Sequence, residues 1–226
     1  ASSRIEQTLN HLAALNYPAN KVEIILVDNN STDATTDCAK DIWNSLKTEI
    51  SFRVVLEKEQ GKSYAIKSGV FESKFEYVLI CDDDNWLDAN YLTIANEILS
   101  NQSNVGVLGG QGIPVTDVDS LPNWFYTYAG GYAVGVQAMH SGDVTDRGFV
   151  WGAASVARRQ FLVDFFCDGG NLLLSGRKGK SLSNGGEDSE ICRCFILAGY
   201  RIWYDERLIF RHFIPNERLT LDYLEK

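Results

Sequence analysis

The sequence predicts an α/β protein with a mostly parallel sheet flanked by helices, followed by a more mixed second half. Short apolar runs bounded by polar residues recur as VEIILV (22–27), Phe52–Leu56, YVLIC (77–81) and Val105–Leu108, the pattern of strands buried on both faces. Stretches with helical periodicity alternate with them, so successive strands are joined by crossover helices and run parallel. Beyond about residue 110 the alternation lapses into aromatic-rich and glycine-rich segments.

Arg4–Leu15 places Ile5, Leu9 and Leu12 on one helical face, and Tyr17-Pro18 ends it. The run 22–27 leads into Asp28-Asn29-Asn30-Ser31-Thr32-Asp33, where Ser31 or Thr32 can cap a helix carrying Ala34, Cys38, Ile42 and Leu46 inward. Phe52–Leu56 is a second strand and Gly61–Phe71 a helix. YVLIC runs straight into Asp82-Asp83-Asp84, and helix Ala89–Leu99 with strand Val105–Leu108 completes the repeat. In the second half Pro122–Gly135 is aromatic-rich, Phe149–Val156 reads as a strand and Arg158–Phe166 as a short helix. Asp168–Gly186 is a glycine-rich loop with Arg177, Lys178 and Lys180. Glu187–Ala198 forms a helix closed by Gly199, and Tyr200–Tyr204 and Leu208–Phe210 read as two strands. Such a sheet usually opens with a strand, yet this chain opens with a helix, so a strand preceding Ala1 is expected in the intact protein.

With 226 residues and no linker-like segment, one domain is expected. A hydrophobic content of 45% excludes intrinsic disorder. Thirty acidic against 21 basic residues give a charge of −9, which argues against sequence-independent nucleic-acid binding. The five cysteines (Cys38, Cys81, Cys167, Cys192, Cys194) form no C-x-x-C pair and read as reduced, cytoplasmic thiols. Cys192 and Cys194 point to different faces of one helix. No apolar run reaches the roughly 18 residues of a membrane span, and no signal peptide is seen.

Function in such sheets gathers at the carboxyl ends of strands, where Asp28 and Asp82–Asp84 stand. Carboxylates this close repel unless a cation sits between them, and hard oxygen donors select Mg²⁺ or Mn²⁺ over zinc. Taken alone, the run also fits a solvated acidic turn capping the next helix. Trp86 stands where an aspartate-nucleophile phosphatase needs Thr or Val, and the glycine and glutamate of a calcium loop are missing.

In order along the chain, VEIILVDNNSTD, EQGKSYAIKSGV, YVLICDDDNW and GGEDSEICRCFILAGYRIWYDERLIFRH resemble the family 2 glycosyltransferases of the GT-A fold, from about Leu9 to His212. The resemblance implies an inverting, metal-dependent hexosyltransferase. Its donor would be a nucleoside diphosphate sugar, expected to be a UDP-sugar, and its acceptor a glycan or lipid-linked molecule. It implies that Asp28 bonds the nucleobase, that Gly61 and Lys62 lie beside the nucleotide, that Asp82, the first carboxylate of a D-x-D completed by Asp84, faces ribose and donor sugar, and that Asp83 belongs to the nucleotide-binding set. Glu59 stands where the family has asparagine. Asp84, with His212, would hold Mn²⁺ or Mg²⁺, and Asp188 would be the general base. Trp151, Gly152, Gly185, Gly186 and Glu187 would line the acceptor side, to which Trp124, Phe125, Tyr126 and Tyr128 add or else fill the core. Arg177, Lys178 and Lys180 would close over the diphosphate or remain a solvated loop.

The same likeness divides the domain into a nucleotide-sugar half (1–110) and an acceptor half (111–226). It implies a role in polysaccharide biosynthesis in the cytoplasm, extending to peripheral association with the inner face of the membrane in the intact protein. A Q-x-x-R-W motif, carried by the family's processive synthases, is not seen, which points to single-sugar transfer. The rivals are a degenerate, non-catalytic nucleotide- or carbohydrate-binding module and a sugar-phosphate nucleotidyltransferase.

Overall fold

A computed structural model describes residues 2–174 and 186–224. Helix α1 (Ser2–Ala13) buries the predicted stripe of Ile5, Leu9 and Leu12. Strand β1 (Glu23–Asp28) pairs in parallel with β2 (Ser51–Leu56), and helix α2 (Thr35–Ser45) connects them. The fully buried face of α2 is Thr35, Ala39 and Trp43; of the expected Ala34, Cys38, Ile42 and Leu46, Ile42 and Leu46 pack against the core part-buried, while Ala34 is exposed. Aspartates delay the helix. Asp28 Oδ1 accepts the Ser31 N–H at 2.9 Å and Asp33 Oδ1 the Thr35 N–H at 3.1 Å, so the chain turns twice before α2 starts. Trp43 then stacks on Phe52 with ring centroids 4.9 Å apart, fixing α2 over the strand pair.

Helix α3 (Lys62–Glu72) leads to β3 (Tyr77–Leu79). After the three aspartates comes β4 (Asn85–Leu87), which the periodicity does not predict, and then α4 (Tyr91–Asn101) and β5 (Val105–Val115). Glycines carry β5 well past Leu108. A Cβ on Gly110 would collide with the Leu208 carbonyl, so only glycine permits that approach. The rest comprises α5 (Phe125–Tyr128), β6 (Gly142–Asp143), β7 (Val156–Arg158), α6 (Arg159–Cys167), α7 (Glu187–Leu197), β8 (Arg201–Phe213) and α8 (Leu221–Leu224).

Two expectations for the second half are corrected. The segment 149–155 is irregular rather than a strand, because side chains replace a ladder partner. The Trp151 N–H goes to Gln137 Oε1 and the Gly152 N–H to Asp188 Oδ2, each at 2.9 Å. Tyr200–Tyr204 and Leu208–Phe210 merge into the single strand β8, which runs beside β5 from Val105 opposite Arg201 to Val115 opposite Phe213. An irregularity in that ladder between Gly109 and Gln111 absorbs the residues between them.

The larger sheet has the order β3-β7-β5-β8-β4, with β6 also on β8. β5 and β8 are parallel and the other pairs antiparallel, whereas β1 and β2 form a separate parallel pair. One core, around Leu9, Tyr91, Leu99 and Phe210, lies under α1 and α4; another, around Val70, Leu162, Phe195 and Ile202, lies under α3, α6 and α7. A third groups Phe125, Tyr132 and Ile214 near the carboxyl terminus.

Candidate active site

Strand ends, helix starts and one long-range pairing assemble the site. β4 pairs antiparallel with β8, Asn85 opposite His212, and this register sets His212 against the aspartates at the end of β3. Asp84 is 5% exposed. Its Oδ1 lies 3.5 Å from His212 Nε2, and its Oδ2 lies 3.3 Å from Arg218 and 3.9 Å from Arg4. Burial works against its charge, but His212, Arg218 and Arg4 outweigh it and hold the carboxyl down at about 2.

The Tyr132 carbonyl, 2.6 Å from His212 Nδ1, can only accept, so Nδ1 carries a proton and, in the neutral ring, Nε2 presents its lone pair toward Asp84. Two electron-rich groups so placed call for a proton or a cation between them. Neighbouring ligands of an octahedral ion bound at about 2.1 Å stand ~3 Å apart, so this pair suits one edge of a Mg²⁺ or Mn²⁺ site. The Nδ1 bond also orients the ring as metal-ligating histidines require. Among the described residues no cluster of three or more His, Cys, Asp or Glu is set to hold a metal. The remaining ligands would therefore be water and ligand oxygens, as Mg²⁺ prefers.

Asp82 and Asp83 diverge. Both oxygens of Asp82 engage Lys62 Nζ, at 2.7 and 2.8 Å, and the same ammonium lies 3.6 Å from Glu187. Burial opposes the Lys62 charge, but Asp82 and Glu187 raise its pKa well above the usual lysine value. Asp83 turns instead toward α1, where Arg4 meets its side chain at 3.4 Å and the Thr8 hydroxyl donates to its carbonyl at 2.8 Å. Its pKa is raised, chiefly by burial.

Asp28 closes an Asx turn at the end of β1. Burial raises its pKa, but bonds from Ser31 and from Thr36 Oγ1, the latter at 3.0 Å, leave it below the ordinary value. Beside it Asn29 accepts the Gly61 N–H at 2.7 Å and donates to the Glu59 carbonyl at 2.5 Å. Asn29 thereby ties the end of β1 to the start of α3. Gly61 has φ 140°, a conformation open to glycine and strained for other residues.

Asp188 stands in the first turn of α7, after Gly186 at φ 117°. Its Oδ2 accepts the Gly152 N–H at 2.9 Å and its Oδ1 the Ser189 N–H at 2.7 Å. A Cβ on Gly152 would lie 2.8 Å from the Cβ of Asp188, so glycine is needed for this contact. Glu187 is buried and accepts the Gly186 N–H at 3.1 Å. Trp151 is buried with the Arg147 guanidinium over its ring, while Tyr126 and Tyr128 are exposed and Phe125 is buried. Gly185, Arg177, Lys178 and Lys180 lie outside the described residues.

The structure thus brings Asp82, Lys62 and Glu187 together, and Asp84 with His212. Sequence reasoning missed Arg4, Arg218 and Asn29. The spacing of an arginine from an aspartate 80 or 134 positions away carries no local signal, whereas Asn29 stood in the strand-end run and was open to notice.

Residues 1–135 match the family model described as "Glycosyl transferase family 2". The chain is 33% identical over 115 residues to the probable glycosyltransferase YdaM of Bacillus subtilis, covering 47% of this chain and 26% of that protein. It is 32% identical over 88 residues to poly-beta-1,6-N-acetyl-D-glucosamine synthase of Staphylococcus epidermidis, covering 38% of this chain and 20% of the relative. Among solved structures, the mannosyltransferase PcManGT from Pyrobaculum calidifontis, in complex with GDP-Man and Mn²⁺, superimposes with TM-score 0.70 at 20% identity. That match covers 97% of this chain and 55% of that one. S. aureus TarS in complex with UDP-GlcNAc gives TM-score 0.62 at 18% identity over 94% of this chain and 54% of that one. The chain therefore spans about a quarter of the length of these curated relatives and about half that of the solved ones. With more than half its length matched by the family model and its fold shared with these transferases, the chain belongs to glycosyl transferase family 2 and has the GT-A fold.

Proposed function

We propose that the protein transfers a hexose from a nucleoside diphosphate sugar to a hydroxyl of a glycan or lipid-linked acceptor, by a single displacement that inverts the anomeric centre. The observation that carries this reading is the Lys62 bridge, 2.7 Å to Asp82 and 3.6 Å to Glu187. It joins the end of β3, on the donor half (1–110), to the start of α7, on the acceptor half (111–226), so donor and acceptor groups share one cleft. Asp28 keeps lone pairs beyond those used by Ser31 and Thr36. They suit an imide N–H such as that of uracil, which favours a UDP-sugar. Gly61, Lys62, Asp82 and Asp83 border the donor.

Asp84 and His212 Nε2 would hold Mn²⁺ or Mg²⁺, which when bound neutralises charge growing on the departing diphosphate. Asp188 takes the proton of the attacking hydroxyl, its carboxylate aimed by the amides of Gly152 and Ser189. Gly152, Gly186, Glu187 and Trp151 shape the acceptor side. A role in polysaccharide biosynthesis agrees with the synthase among the relatives. Five free cysteines favour the cytoplasm, where a lipid-linked acceptor would be met at the inner face of the membrane.

The test is mass-spectrometric screening of nucleotide sugars, UDP-GlcNAc and GDP-mannose included, with the full-length protein and Mn²⁺. One donor should be consumed with release of its nucleoside diphosphate, and Asp84→Asn should lose both turnover and metal-dependent nucleotide binding. No turnover of any donor, or an Asp84→Asn variant with unchanged metal dependence, would sink the reading.

A further inference from the structure

The stretch that leads from Trp151 into β7 has no ladder partner, so its amides are held by other means. Gly152-Ala153-Ala154-Ser155 is a turn in which the Gly152 carbonyl accepts the Ser155 N–H and the Ser155 hydroxyl, each at 3.2 Å. Ala154, its third residue, has φ 57°. A positive φ at this place calls for glycine, because in the left-handed region a Cβ crowds the backbone. Four non-glycine residues have a positive φ among the described residues, and Ala154 is the buried one.

The side chain that imposes this conformation comes from another element. Tyr91, at the start of α4, is fully buried, and its hydroxyl donates to the Ala154 carbonyl at 2.6 Å. Burial, and after it the neighbouring Cys81, push the phenol well above its usual value, so it remains a donor. Gly110 clears the path, since a Cβ there would come within 2.9 Å of the hydroxyl. On the other side of Gly152, Gln137 accepts the Trp151 N–H at 2.9 Å while its Nε2 donates to the Gly110 carbonyl at 2.8 Å. Both clamps thus stand on β5 at Gly110. Between them the Gly152 N–H faces Asp188 Oδ2 at 2.9 Å.

We propose that Tyr91 is a positioning residue for the transfer reaction: its hydroxyl holds Ala154 in the left-handed turn, and the turn aims the Gly152 amide that orients Asp188. Being fully buried, Tyr91 meets neither donor nor acceptor and acts only through the turn. A phenylalanine would fill the same space, so the hydroxyl serves the carbonyl rather than the packing. Backbone strain of this kind persists only where the surroundings impose it, as pre-organised sites do. Because α4 follows directly on Asp82–Asp84 and β4, one short stretch of chain both borders the donor and aims the acceptor side. The inference rests on Asp188 being the base, as proposed above.

Tyr91→Phe in the full-length protein tests it by removing only the hydroxyl. Transfer at saturating donor and acceptor should fall about tenfold, with donor affinity in calorimetry and the KM for donor unchanged. The Gly152 amide should exchange with solvent about tenfold faster, while that of Leu108 in β5 keeps its parental rate. Adding Ala154→Gly to Tyr91→Phe should bring both transfer and protection back to within about threefold of the parent, because glycine takes the left-handed conformation unaided. A hydroxyl that served only the stability of the fold would not be replaced by a glycine at that one position. Since Tyr91→Phe can fail to fold, the unaltered protein supplies a second arm, in which the Gly152 amide should be protected like the amides of β5. Exchange reads the hold on the amide without using activity. If Asp188→Asn transfers at the parental rate while Gly152 exchange still follows Tyr91, it is the base assignment that has failed. Gly152 exchange indifferent to Tyr91→Phe, a double variant no better than the single one, donor affinity lost in step with transfer, or a Gly152 amide as open as an exposed loop in the unaltered protein, each overturns the proposal.

Discussion

Two carboxylates of the cleft are held in opposite ways. Asp84 is compensated by side-chain cations, Arg218 and Arg4, both within 3.9 Å, with the His212 ring beside it. Asp188 is held by the backbone, through the amides of Gly152 and Ser189. Side-chain cations on long stems can swing away, so the charge of Asp84 can be handed to an incoming divalent ion. Backbone amides cannot leave. They keep Asp188 oriented without neutralising it, which suits a group that must accept a proton at one fixed point. Under the proposed function, the contrast separates a site built for exchange from a site built for aim.

The largest expected effect breaks the aimed side. Asp188→Asn keeps the shape and removes the proposed proton acceptor, so transfer should fall by about 10²–10⁴-fold, with donor affinity unchanged in calorimetry and an unchanged circular dichroism spectrum. Transfer at the parental rate from the folded variant would mean that another group activates the acceptor.

Gly152→Ala attacks the same side through its support. The added Cβ would fall 2.8 Å from Asp188 Cβ, an overpacking worth about 1–3 kcal/mol. The urea midpoint should drop and transfer should slow, while nucleotide binding holds. A variant with parental stability and rate would show that the α7 start yields freely.

Acid sharpens the exchangeable side. Burial opposes the Asp84 charge, and His212, Arg218 and Arg4 overcome it to depress the pKa to about 2 from 3.8. A depressed carboxyl stabilises the fold above its unfolded pKa, and that stability is lost as pH falls toward the folded value. The Asp84 contribution, on the order of 2 kcal/mol, should be full at about pH 5 and mostly gone at about pH 2. Denaturation of the parent and of Asp84→Asn across that window measures it, and identical slopes would remove Asp84 from the account.

The smallest effect concerns the displaced cation. Arg218→Gln removes a charge 3.3 Å from Asp84 and should tighten Mn²⁺ binding, without nucleotide, by about fivefold, the worth of ~1 kcal/mol for a part-buried pair. Weaker Mn²⁺ binding in this variant would show that Arg218 builds the site rather than competing for it.

What the sequence determined by itself was local. Runs such as VEIILV and YVLIC ending in aspartates, and the glycines before Lys62 and Glu187, were legible because strand and helix periodicity, turn chemistry and helix starts each act over a few residues. The cleft end of each motif could therefore be named in advance. The α2 stripe was legible only in part: Ile42 and Leu46 pack against the core as expected, but the fully buried face is Thr35, Ala39 and Trp43, because the turns at Asp28 and Asp33 compete with helix capping at the same residues. Only the tertiary structure decided that β4 forms at all, that its register sets His212 on Asp84, and that Lys62 spans to Glu187. It alone showed Arg4 and Arg218 converging on one carboxylate. The side-chain contacts among them join residues 75 to 134 positions apart, and no local period encodes them. They are settled by which edges and charges remain unsatisfied once the local elements pack.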